Sequence, residues 1–179
     1  MSRLIWIVPL ATVVMGTGMV GPGVAVAGEP STYAAATREK KAVAPSFSMR
    51  TLDGKTVRLS DFKGRPVVLD FWATWCAPCR ASMPHLDSIQ TRYKERGLVV
   101  LGLSVDDDDP PYVRKFADRL GVKFRLGMAD EHILDLYGPI RSIPTTVFIN
   151  RNGTIVRRVV GYLDQETVDA YVNELFVVP

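Results

Sequence analysis

Two cysteines stand three residues apart in this 179-residue chain, as Cys76-Ala77-Pro78-Cys79. Side chains at that spacing can close a small ring, and a thiolate is both a nucleophile and a leaving group. The chemistry this suggests is thiol–disulfide exchange: one sulfur attacks a disulfide, and the second resolves the mixed disulfide that forms. Other uses compete with it. An inert structural disulfide fits an oxidising compartment, but a ring with two intervening residues restrains the unfolded chain much less than a long loop does. Soft thiolates also select Cu(I). Only His85 and His132 accompany the cysteines, and both read as surface or packing residues, so no metal or other cofactor is expected.

Such a pair needs an element on each side to position it. Residues 66–72 form a short apolar run with β-branched members, which predicts a buried central strand. Beyond the pair, Met83, Leu86, Ile89 or Gln90, and Tyr93 recur at helical spacing as far as Gly97, predicting a helix that begins near Cys76. Cys76 then sits at a helix N-terminus, where unpaired N–H groups and the macrodipole favour an anion and lower a thiol's pKa. Cys79 falls in the first turn. Pro78 is tolerated there because first-turn N–H groups have no helical partner.

The surroundings follow the same logic. Asp53-Gly54 marks a hairpin between 47–49 and 57–59, and 60–64 reads as a short capped turn. Residues 98–105 predict a second buried strand, and Pro110-Pro111 opens a helix carrying Val113, Phe116 and Leu120. A strand near 124–126, a helix near 132–137, strands at 145–149 and 154–160 joined at Asn152-Gly153, and a last helix with Val168, Tyr171 or Val172, and Leu175 complete the pattern. Strands alternating with helices, then a hairpin and a closing helix, predict an α/β sandwich around a central mixed sheet.

Composition narrows the class. At 47% hydrophobic and 23% charged, the chain is globular, and a net charge of +3 is too small for a nucleic-acid binder. Arg3 is followed by an uncharged stretch, residues 4–27, whose dense apolar part is 4–15 and which ends in Ala25-Val26-Ala27. Residues 1–27 are therefore expected to be a cleaved export signal, with a retained membrane anchor as the alternative. Residues 28–44 are small and polar and read as a flexible tether, leaving 45–179 as the domain. What remains after the signal, about 150 residues, can bury a core without covalent staples. The cysteines are not needed for stability.

Taken together, these residues carry a resemblance. The segment Trp75-Cys76-Ala77-Pro78-Cys79-Arg80 resembles the active site of the thioredoxin superfamily, and residues 67–72 resemble its central strand. Ile143-Pro144-Thr145 resembles its cis-proline loop, and Pro84 matches the kink proline of its active-site helix. The block 47–64 and the stretch 103–126 are similar to the N-terminal hairpin and central insertion of the TlpA-like exported branch, which includes the cytochrome c maturation thioredoxins. The resemblance implies a thioredoxin-like three-layer sandwich with helices on both faces of the sheet. It implies a redox-active Cys76–Cys79 disulfide, with Trp75, Ile143 and Pro144 contacting substrate. That branch often carries Asn on the strand and Glu on the helix; here those positions hold Asp70 and Ser82. Asp70, buried beneath the pair, is expected to have a pKa raised by desolvation and to move a proton to or from Cys79.

Direction and partners complete the expectations. Strong oxidants stabilise the thiolate with a donor between the cysteines, and Ala77-Pro78 has none. A monomeric reductant of exported disulfides is therefore expected, with client proteins such as apocytochrome c and a membrane thiol protein as electron donor. The alternatives are a Cu(I)-handling module, which in copper-binding relatives has three residues between the cysteines plus a histidine, and a thiol peroxidase, whose Pro-Thr-Cys loop this chain lacks. Arg80 reads as a solvated helix residue. The acidic run Asp106 to Asp109 reads as helix capping and solvation, since it lacks the spaced ligands of a calcium loop.

Overall fold

The computed structural model describes residues 35–37 and 42–177; the expected export signal lies outside them. In chain order the elements are β1 (Ala35–Thr37), β2 (Ala42–Val43), β3 (Ser48–Arg50), β4 (Thr56–Arg58), β5 (Val67–Trp72), α1 (Ala77–Arg92), β6 (Val99–Ser104), α2 (Pro110–Arg119), β7 (Arg125–Met128), α3 (Glu131–Tyr137), β8 (Thr145–Ile149), β9 (Thr154–Val160) and α4 (Gln165–Val177). A 3-10 turn covers Leu59–Phe62, and another, Lys94–Arg96, ends at Gly97 in the left-handed region.

All six residues of β5 and all six of β6 are buried, as their unbroken apolar runs require of strands covered on both faces. They pair in parallel, and β6 pairs in parallel with β7. On the other side β5 pairs antiparallel with β8, and β8 with β9 through the turn at Asn152-Gly153. The mixed sheet runs β1-β9-β8-β5-β6-β7, with β2 also on β9, for seven strands.

Strand alternation divides the core in two. Val68 and Trp72 of β5 face a cluster that includes Met83, Leu86 and Ile89 of α1, Val113 and Ala117 of α2, and Val168, Val172 and Leu175 of α4. Val67, Leu69 and Phe71 face the opposite cluster, closed by Met49 of β3, Phe62, and Ile133 and Tyr137 of α3. Helices thus cover both faces, and the β3–β4 hairpin is tied to β7 by Leu52 N–H donating to Leu126 O at 2.8 Å. The three-layer α/β sandwich is as expected.

One expectation changes. Within the segment read as a tether, Ala35–Thr37 and Ala42–Val43 pair antiparallel with β9. The outer edge of β9 offers backbone donors and acceptors that any extended chain can satisfy. Such pairing needs no apolar period, so the sequence carried no sign of it. Among the described residues, no helix is long and apolar enough to cross a membrane.

Candidate active site

The strand β5 ends at Trp72, and four residues later the chain turns into α1. Cys76 is the N-cap of α1, with extended backbone (φ −83°, ψ 102°), and Cys79 N–H donates to its Sγ at 3.2 Å. Pro78 occupies the first turn. Cys76 and Cys79 are joined in a disulfide with Cα atoms 5.3 Å apart. Cys79 is fully buried and Cys76 nearly so, at 5% exposure, which makes Cys76 the less buried residue of the pair. Beside them, Trp75 is 65% exposed, while Trp72 is buried and stacks on Phe116.

Asp70 is fully buried within β5. It shares the face of β5 with Val68 and Trp72, the face turned to the cluster containing both cysteines. Thr146, its register partner on β8, donates from Oγ1 to Asp70 Oδ1 at 2.8 Å, and Oδ2 has no hydrogen-bond partner. Burial raises the carboxyl pKa from 3.8 to about 7, against a smaller lowering by the Thr146 bond. At neutral pH such a group both accepts and returns a proton.

Pro144 is buried after a cis Ile143–Pro144 peptide bond; Gly138–Pro139 is also cis. Gly161 N–H donates to Pro144 O at 2.8 Å, holding the loop to the end of β9. Ile143, half-buried, packs against the cluster that contains Cys76 and Cys79. Cys76, Cys79 and Ile143 thus share one core cluster, Asp70 lies mid-strand in β5, and Trp75 stands exposed in the loop between β5 and Cys76. Ser82, also buried, donates to Pro78 O at 3.2 Å and accepts from Leu163 N–H at 3.1 Å. It fastens the first turn of α1 to the loop before α4.

Two sequence readings need correction. Arg80 is not simply solvated: it is half-buried and donates from Nη1 to Thr74 O at 3.1 Å. The acidic run is not uniform either. Asp107, Asp108 and Asp109 are exposed, and Asp109 is the N-cap residue of α2 without a side-chain capping bond. Asp106 is buried and accepts from Thr74 N–H, Thr74 Oγ1–H and Ser104 Oγ–H. Four adjacent acids look alike in sequence; only the path of the chain after β6 turns one of them inward. Of the histidines, His85 pairs with Tyr162 Oη at 3.1 Å and His132 is exposed. Among the described residues, no group of three or more His, Cys, Asp or Glu side chains is placed to hold a metal ion.

Comparison with known proteins agrees with this geometry. The Redoxin family pattern matches residues 38–175. The thiol-disulfide oxidoreductase ResA of Bacillus thuringiensis is 33% identical over 133 residues, covering 74% of this chain and 76% of that protein. ResA of Oceanobacillus iheyensis is 36% identical over 137 residues, covering 74% of this chain and 70% of the relative. Among solved structures, a thiol:disulfide interchange protein of the thioredoxin family from Chlorobium tepidum superposes with a TM-score of 0.70 at 28% identity, covering 78% of this chain and 99% of that one. A family pattern over most of the chain, with relatives matched over more than two thirds of their own length, leaves one assignment: the chain belongs to the thioredoxin-fold Redoxin family and is a thiol-disulfide oxidoreductase of the ResA type.

Proposed function

We propose that the protein works outside the cytoplasm as a reductant of selected protein disulfides, delivered there by residues 1–27 as a cleaved signal. The observation that carries the direction is the donor-free dipeptide inside the redox ring. Cys76 Sγ receives the Cys79 N–H, while Ala77 and Pro78 contribute no side-chain donor to stabilise a thiolate. A weakly stabilised thiolate makes the dithiol the better electron source. The reduced Cys76 thiolate attacks one sulfur of a client disulfide, forming a mixed disulfide and releasing the other client sulfur as a thiolate. Cys79 then gives its proton to the Asp70 carboxylate and attacks Cys76 Sγ. The Cys76–Cys79 bond forms, the second client thiolate leaves, and two electrons have passed to the client.

Trp75 and the backbone at Ile143-Pro144 serve as the contact surface for the client's extended segment. The cycle needs a dithiol donor, and in an oxidising compartment that donor is a membrane thiol protein. Apocytochrome c, with its paired haem-attachment cysteines, is the client class we favour, and the protein acts as a monomer. The test is the equilibrium reduction potential against glutathione and dithiothreitol. A value near or below about −230 mV, in the range of thioredoxins and glutaredoxins, supports the reductant. A value near about −120 mV, that of a strong oxidant, reverses the direction of electrons.

A further inference from the structure

We propose that Asp106 is a positioning residue for Cys76, acting through Thr74. The proposal takes Cys76 as the attacking sulfur, as above. Asp106 lies two residues beyond the end of β6 and is 7% exposed. Thr74 N–H donates to Oδ1 at 3.1 Å and to Oδ2 at 3.0 Å, and Thr74 Oγ1 donates to Oδ1 at 2.7 Å. Ser104 Oγ donates to Oδ2 at 2.6 Å and in turn accepts from Asp106 N–H at 3.1 Å, so the carboxylate is itself held in orientation. Thr74 O accepts from Arg80 Nη1. Every polar group of Thr74 is therefore engaged, by the segment just after β6 on one side and by α1 on the other.

Thr74 is a loop residue between β5 and α1, two positions before Cys76. A loop this short transmits its anchoring directly. With Thr74 fixed, Cys76 N–H reaches Ala73 O at 3.2 Å and Cys76 takes the N-cap conformation that points its sulfur at Cys79 N–H. The same bracing sets the direction in which Trp75 leaves the surface. Buried polar groups this fully satisfied are rigid, and removing one partner strands the others. The loop is thus held for the sulfur before a client arrives, and a carboxylate just beyond β6 holds it.

The test uses the full chain in a Cys79→Ser background, so that Cys76 is the only thiol. Thiolate formation is followed by ultraviolet absorbance and by the pH dependence of iodoacetamide alkylation. Thr74→Val removes the hydroxyl donor and leaves the carboxylate in place; Thr74→Ser restores the donor; Asp106→Asn removes most of the acceptor capacity. We expect the Cys76 midpoint to rise by about half a pH unit in Thr74→Val and Asp106→Asn, with about threefold slower alkylation below the midpoint. Thr74→Ser should titrate as the parent does. Loss of the Asp106 negative charge alone would favour the thiolate, so a lowered or unchanged midpoint in either variant overturns the proposal, however far stability falls. Should Asp106→Asn fail to fold, Thr74→Val decides alone. If Cys79 in a Cys76→Ser chain alkylates faster than Cys76 does in the Cys79→Ser parent, the assignment of the attacking sulfur falls instead, whatever the Thr74 variants do.

Discussion

Among the described residues, Asp70 is the most buried acid: mid-strand in β5, with Thr146 on one oxygen and nothing bonded to the other. Its pKa of about 7 when folded, against 3.8 in the unfolded chain, has a stability consequence whose sign is fixed. Below pH 4 both states hold the proton and the group costs nothing. Between pH 4 and 7 the unfolded chain releases it first, so folding loses about 1.4 kcal/mol per pH unit, and the loss levels off above pH 7. The whole effect is about 4 kcal/mol at most. Asp70→Asn keeps an acceptor for Thr146 and cannot ionise. The variant should match the wild type near pH 4 and be more stable by about 2–4 kcal/mol at pH 8, measured by urea unfolding at both pH values. A gap that does not widen with pH would mean that Asp70 is not the raised group. The acid and its strand are legible in sequence as an Asp within an apolar run. Its partner is not, because Thr146 is set by the antiparallel register of β8, a pairing 76 residues away.

At the scale of elements, periodicity identified what packing later used. The stripe Met83, Leu86, Ile89 is the buried face of α1, and the two unbroken apolar runs are the two central strands. Features held by backbone or by a single inward turn escaped: β1 and β2 on the edge of β9, and Asp106 after β6. A third is Gly102, opposite Asp70 on β6. A Cβ there would lie 2.5 Å from Leu126 Cδ2, 3.0 Å from Phe124 Cε2 and 3.2 Å from Trp72 Nε1. The glycine answers to space rather than to backbone conformation, which no local pattern reveals. It leaves room for Trp72, the last residue of β5, whose ring stacks on Phe116. Gly102→Ala should destabilise by about 1–3 kcal/mol, the usual range for overpacking. Denaturant midpoints would read it, and a neutral result would show that the Trp72 layer has slack.

For the whole molecule, redox state and folding are two sides of one cycle. Whatever the fold does to favour the disulfide over the dithiol must return as a difference in stability between the oxidised and reduced proteins. Strong oxidants stabilise their reduced forms, because a well-held thiolate is worth more than the bond it gives up. Here the ring between Cys76 and Cys79 holds no side-chain donor, and Asp70, once ionised, is a like charge in the same layer as any thiolate. Both features weaken the dithiol form. The oxidised protein should therefore melt above the reduced one, and each kcal/mol of difference is about 2–4 °C in a domain of this size. The gap should widen from pH 6 to pH 8 as Asp70 loses its proton. Calorimetry of the two forms across that range checks the argument; a reduced protein that melts higher would place this fold among the oxidants, with the same residues running electrons the other way.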